Sequence, residues 1–291
     1  MMFKGSYVAL ATPFTDDGSV DFDAYGRLVE YQLEHGTDGL VPCGCTGEAA
    51  TLSHEEQKQC IRFVVEKVAG HAKVLAGTGS NSTREAIELT RFAAEAGADA
   101  ALLITPYYNK PTPAGQIAHY ERVAAAVPNL PIMLYNVPSR TGTNMLPATV
   151  ARLSQVDNIQ AIKEAAGSVD QVSQILSLCD ITVMSGDDSL TLPMMAVGAT
   201  GVVSVAANVV PGPVAEMCRL ALAGDFAGAR KIHYRLMPLF KALFIETNPM
   251  PVKAALARMG IIRNVLRLPL VPLSPEKAPE LDKVLADLGL I

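Results

Sequence analysis

Eight short apolar runs recur along this chain of 291 residues, each followed by a stretch with helical spacing. They are YVALAT (7–12), GLVP (39–42), KVLAG (73–77), AALLIT (100–105), PIMLYN (131–136), IQAIK (159–163), ITVMS (181–185) and GVVSV (201–205). Strict strand–helix alternation requires right-handed crossovers and parallel pairing. The runs are continuously apolar, so both faces of the sheet are covered. A closed α/β (β/α)8 TIM barrel meets these conditions with the fewest assumptions. The runner-up, a doubly wound open sheet, announces itself by a glycine-rich phosphate loop after its first strand. PFTDDG stands there instead.

Local signals agree with this alternation. Ser53 and Glu56 form a capping-box pattern opening a helix over 54–69. Ser82 or Thr83 caps 84–96, and Gly97 ends it. Pro147 suits the first turn of 148–154, and Pro211 or Pro213 that of 214–223. The barrel, carrying the active site, then spans 1–225. Residues 226–291 read as a domain of three helices (226–246, 251–259 and 276–288) separated by NPMP and LPLVPLSPEKAP.

Composition removes several classes of function. Net charge is −5 with lysine and arginine scattered, which is no footprint for nucleic acid. The apolar run in MMFKGSYVALATPF is too short for a signal peptide, and no window approaches the roughly 18 unbroken apolar residues of a membrane span. Five cysteines, an odd number in mostly apolar surroundings, fit reduced thiols in the cytoplasm.

Chemistry in such a barrel gathers at the C-terminal strand ends. Those positions hold Thr12, the turn Gly44-Cys45-Thr46, Ser80, Tyr107-Tyr108, Tyr135-Asn136, Lys163-Glu164, Gly186-Asp187 and Ser204. Lys163 ends a buried strand and shares the phase of Ile159 and Ala161, which points it inward. Desolvated there, its amine is available for Schiff-base chemistry; the alternative is a salt bridge with a carboxylate such as Glu164. Tyr135 is a proton-transfer candidate or an amphipathic core residue. Arg140 is a carboxylate fork or a surface arginine. PCGCTGE (42–48) is a metal clasp, a redox pair or a substrate-presenting turn. Metal-ligand spacing of histidines, HExxH, paired CxxC and GxSxG are all absent, so no metal or cofactor is expected. The acidic GDDS after the seventh run argues against a sugar phosphate.

From end to end the chain resembles the pyruvate-dependent class I aldolases of the dihydrodipicolinate synthase and N-acetylneuraminate lyase family. GSYVALATPF, GCTGEAATLSHEE, AGTGSNSTREAIELT, TPYYNKPTPAG, LYNVPSRTG, IKEAAG, SGDDS, GVVSVAANVVP and NPMPVKAAL carry the likeness. The stretches near Tyr107 to Lys110 and Tyr135 to Gly142 point to the synthase branch, which condenses pyruvate with aspartate 4-semialdehyde in the diaminopimelate route to lysine.

The resemblance implies a homotetramer, a dimer of dimers, in which Lys163 forms the imine with pyruvate and Tyr135 serves as acid and base. Thr46 and the backbone of its turn would hold the pyruvate carboxylate. Tyr108 would complete a proton relay from the neighbouring subunit, and Arg140 would take the aldehyde's carboxylate. Gly186 and Val203 would line the pocket. Cys45 is a departure, standing where the synthases carry the threonine that bridges the two relay tyrosines. An active enzyme slowed at proton transfer follows. The positions matching the family's lysine-effector cleft are Ala49, His54, Gln57, Asn81, Glu85 and Tyr107. Ala49 and Gln57 depart from the sensitive type, which implies lysine binding without strong inhibition. The alternatives are a lyase for N-acetylneuraminate or keto-deoxy sugar acids, and a weakly catalytic paralogue that binds keto acids.

Overall fold

The computed structural model describes residues 3–291. Eight parallel strands close into a barrel in sequence order: β1 (Gly5–Ala9), β2 (Gly39–Val41), β3 (Lys73–Gly77), β4 (Ala100–Ile104), β5 (Ile132–Asn136), β6 (Ile159–Glu164), β7 (Thr182–Ser185) and β8 (Gly201–Ser204). Closure happens where Gly5 of β1 faces Gly201 of β8. A Cβ at position 201 would lie 2.0 Å from the Gly5 carbonyl oxygen, so only glycine lets these two backbones meet.

Consecutive strand residues face opposite sides, which explains the unbroken apolar runs. Ala9, Val41, Leu102, Met133, Ala161 and Met184 pack inside the barrel. Val8, Leu40, Leu103, Leu134, Ile162 and Val183 pack outward in the larger apolar cluster that also takes in helix residues. The barrel floor and the helical layer are therefore separate cores sharing one sheet.

Two expectations about the strands need correction. β1 begins at Gly5, not residue 7, because pairing with β8 starts there, and residues 10–12 lie beyond its C-terminal end. Ile159 does not share the inward phase of Lys163. The pairing of β5 with β6 shifts between Ile132/Met133, so Met133 faces Ala161 and Gln160 is skipped. Ile159 thus joins the outer cluster while Ala161 stays inside. The inward direction of Lys163 follows from Ala161 alone.

Ser53 and Glu56 do form the capping box at the helix His54–Val68. After the barrel come helices Phe226–Ala242, Met250–Arg258 and Ala278–Asp287. The first ends four residues before the expected 246, freeing 243–249 to turn back over the barrel mouth. Among the described residues, no helix is long and apolar enough to cross a membrane.

Candidate active site

A cavity of about 430 Å³ opens at the C-terminal ends of the strands. Lys163 stands at its base, 5% exposed, with Nζ 4.2 Å from the centre of the Tyr135 ring on the neighbouring strand. Burial lowers its pKa to about 8, outweighing the opposing pull of Cys45 and Asp188. Lys163 makes no ion pair among the described residues. Glu164, the partner that the sequence left open, projects to the other side of β6. There its carboxylate accepts from Asn136 Nδ2 at 3.1 Å, the Ala166 amide at 2.7 Å and Gln171 Nε2 at 3.1 Å. Glu164 holds the strand end and leaves the Lys163 amine unpaired.

A pH dependence follows from this burial. Only a neutral amine attacks a carbonyl, and at pH 7 roughly a tenth of an amine with a pKa near 8 is neutral. The rate of imine formation should therefore climb from pH 6.5 and level off above about 8. Stopped-flow mixing with pyruvate across this range checks it. A flat profile, or one still rising tenfold per unit beyond pH 10, contradicts the assignment.

Tyr135 is buried, and burial pushes its phenol well above the usual range, with the nearby Cys45 thiol adding to the rise. Cys45 belongs to a turn whose backbone is forced into left-handed geometry at Cys43 (φ +57) and Glu48 (φ +54). Several contacts hold that turn. Thr12 donates its hydroxyl to the Gly47 carbonyl at 2.8 Å, and Asn248 Nδ2 donates to Thr46 Oγ1 at 3.0 Å. Glu48 is fully buried against Lys253, whose Nζ lies 2.6 Å from Oε1 and 2.9 Å from the Thr12 carbonyl oxygen. The Lys253 ammonium also sits 4.2 Å from the Phe14 ring centre. Burial still dominates, lowering Lys253 to about 8 despite Glu48. A backbone amide from Arg267 completes the Glu48 shell at 3.1 Å.

Arg140 lies on the short helix Pro138–Thr141 after β5 and reaches the cavity, where its guanidinium donates to the Asn248 carbonyl at 2.7 Å. Gly186 leaves room for the lysine: a Cβ there would stand 2.8 Å from Ala165 Cβ and 2.9 Å from Lys163 Cε. Val203 is buried in the barrel interior, in the cluster that also holds Tyr135, and Val205, just past the end of β8, lines the cavity. Asp188 accepts from Ser204 Oγ at 2.5 Å and from the Val205 and Ala206 amides, fastening the β8 end. Tyr108 does not line the cavity; it is 89% exposed with φ +70.

A second cavity of about 330 Å³ is lined by Ala49, His54, Gln57, Glu85 and Tyr107. Asn81 borders it, donating to the Tyr107 carbonyl at 3.1 Å. Cys45, Tyr135 and Arg140 line both cavities and form their shared wall. The six residues linked to the effector cleft are thus together, one wall away from the lysine. Asn248, Lys253 and Asp188 are the site residues that sequence reasoning missed. Only the proline-rich NPMPVK segment carried a signal for the first two.

The arrangement brings a desolvated amine, a phenol, a buried hydroxyl on a rigid turn and a guanidinium into one space. No group of three or more His, Cys, Asp or Glu suited to a metal occurs among the described residues. This set fits covalent chemistry on a small keto acid, with a second carboxylate held by the arginine.

Comparison with known proteins gives consistent results. Residues 2–288 match the dihydrodipicolinate synthetase family. The 4-hydroxy-tetrahydrodipicolinate synthase of Nitratidesulfovibrio vulgaris (strain Miyazaki F) is 53% identical over 294 residues, covering 100% of both chains. The crystal structure of dihydrodipicolinate synthase from Aquifex aeolicus superposes with a TM-score of 0.97 at 50% identity, covering 99% of each chain. That of the Cyanidioschyzon merolae enzyme with lysine bound gives 0.97 at 41%, covering 100% of this chain and 99% of that one.

Proposed function

This chain belongs to the dihydrodipicolinate synthetase family, and we propose that its cavity performs the reaction of the 4-hydroxy-tetrahydrodipicolinate synthases it matches from end to end. Pyruvate binds with its carboxylate on the Thr46 hydroxyl and the amides of the turn. The neutral Lys163 amine attacks the keto carbon, and the carbinolamine loses water to give the imine. Tyr135 passes the protons from a position beside Cys45. Loss of a methyl proton gives the enamine, which attacks the aldehyde of L-aspartate 4-semialdehyde while Arg140 holds the aldehyde's carboxylate. One observation carries the reading: a buried, unpaired lysine at the end of β6, its amine over the Tyr135 ring.

Further parts of the proposal rest on position. Tyr108 is exposed on a left-handed backbone, which suits a side chain offered to the cavity of a neighbouring subunit in a homotetramer. The second cavity suits lysine, with Glu85 and His54 for its ammonium and carboxylate; a relative has been solved with lysine bound. Residues 226–291 act as a helical domain that closes the barrel mouth and lends Asn248 and Lys253 to the turn. All five cysteines are unpaired, which fits the reducing cytoplasm.

The test is turnover by purified protein given pyruvate with a panel of aldehydes. Aspartate 4-semialdehyde should be consumed at least 100-fold faster than N-acetylmannosamine or a sugar-acid aldehyde, on the order expected when a carboxylate-binding arginine is left unmatched. Equal or greater activity with a sugar contradicts the acceptor; no turnover with any aldehyde leaves a binding protein.

Cys45 separates this chain from the family's usual relay. Sulfur is a weaker hydrogen-bond partner than oxygen and sits farther from Cβ. Cys45→Thr should therefore raise kcat while leaving the pyruvate KM nearly unchanged. A variant without activity, or Cys45→Ala with full activity, removes the thiol from the proton path.

A further inference from the structure

A threonine hydroxyl carries one hydrogen and two lone pairs. If Thr46 is to hold a carboxylate, its hydrogen must be free to point into the cavity. The surroundings of Thr46 bear on this. The residue is buried, and its Oγ1 takes the Asn248 Nδ2 donor at 3.0 Å. Because a neighbour supplies that hydrogen, the hydroxyl's own hydrogen is left for a ligand.

Asn248 lines the cavity at 4% exposure and makes a second contact of a different kind. Its main-chain carbonyl accepts the Arg140 guanidinium at 2.7 Å. Its Oδ1 is buried with no hydrogen-bond partner among the described residues. A buried acceptor left unpaired is uncommon, and this amide is held through its donor edge alone. Five residues further on, Lys253 grips Glu48, two residues after Thr46. The 248–253 segment therefore fastens the 44–48 turn at two points.

We propose that Asn248 is a positioning residue with two separable duties. Its side-chain amide orients the Thr46 hydroxyl toward the carboxylate of the keto acid. Its main-chain carbonyl sets Arg140 for the carboxylate of the aldehyde. The inference rests on reading the cavity as that of a pyruvate aldolase. Side-chain replacement then disturbs the first duty and spares the second, since every residue keeps its carbonyl.

Steady-state kinetics on Asn248→Asp and Asn248→Ala test this. Asn248→Asp keeps the shape but replaces the donor with an acceptor that draws the Thr46 hydrogen and adds charge near the carboxylate. Its pyruvate KM should rise about tenfold or more, and that of Asn248→Ala by less, while the KM for aspartate 4-semialdehyde stays within about twofold. Borohydride trapping on Lys163 should fall at low pyruvate and recover at saturation. An unchanged pyruvate KM, or equal rises in both KM values as general loosening would give, overturns the inference. Should Asn248→Asp fail to fold, Asn248→Ala carries the same split. Wild-type protein that traps no pyruvate on Lys163 contradicts the aldolase reading and the inference with it. Trapping in the wild type with no split in the variants overturns the inference alone.

Discussion

Lys163→Ala should lower kcat by about 10⁴-fold or more, with the fold intact. Losing the nucleophile removes the imine, and with it both the acidity of the pyruvate methyl group and the enamine that attacks the aldehyde. Stability should not suffer, because the side chain is buried without an ion pair and burial is what disfavours its charge. The melting temperature of the variant should equal or exceed that of the wild type. Retained turnover places the chemistry elsewhere. A collapsed melting temperature would mean that Lys163 holds the barrel together.

The second large effect is on stability. Lys253 and Glu48 are both fully buried, and the pair joins the loop after β1 at Thr12, the 44–48 turn and the helix Met250–Arg258. Lys253→Met leaves the Glu48 carboxylate unpaired in the interior, which costs about 3–5 kcal/mol. For a chain of this size, that lowers the melting temperature by roughly 6–20 °C. Glu48→Gln combined with Lys253→Met should recover part of the loss, since neither charge then remains. Calorimetry on the two variants reads this directly. A single variant as stable as the wild type would show that the pair contributes nothing to the fold.

The barrel was legible because its signal is local. Each strand is a short apolar run, each helix has its own stop and start residues, and the alternation leaves few topologies. The errors came where tertiary pairing set the register. β1 starts at Gly5 because Gly201 faces it, a contact 196 residues away that periodicity along the chain cannot register. Skipping Gln160 in the β5–β6 pairing put Ile159 outside and made a correct inference about Lys163 rest on one neighbour instead of two.

The site divides in the same way. Lys163, Tyr135, Arg140 and the PCGCTGE turn stand at strand ends or in the loops after them, where fold geometry says to look. Whether Lys163 paired with Glu164 was open until β6 placed the two on opposite faces. Asn248 and Lys253 were invisible because they act on the turn across separations of 202 and 205 residues, through a turn and a helix outside the barrel. A residue type and its spacing give no sign of such reach.

The central claim is that Lys163 carries pyruvate as a covalent imine. Incubation with pyruvate and borohydride, followed by digestion and mass mapping, tests it most directly. The account predicts one pyruvate-derived adduct, on the peptide containing Lys163, and loss of activity in proportion to its formation. No adduct, or an adduct on any other lysine, would contradict it.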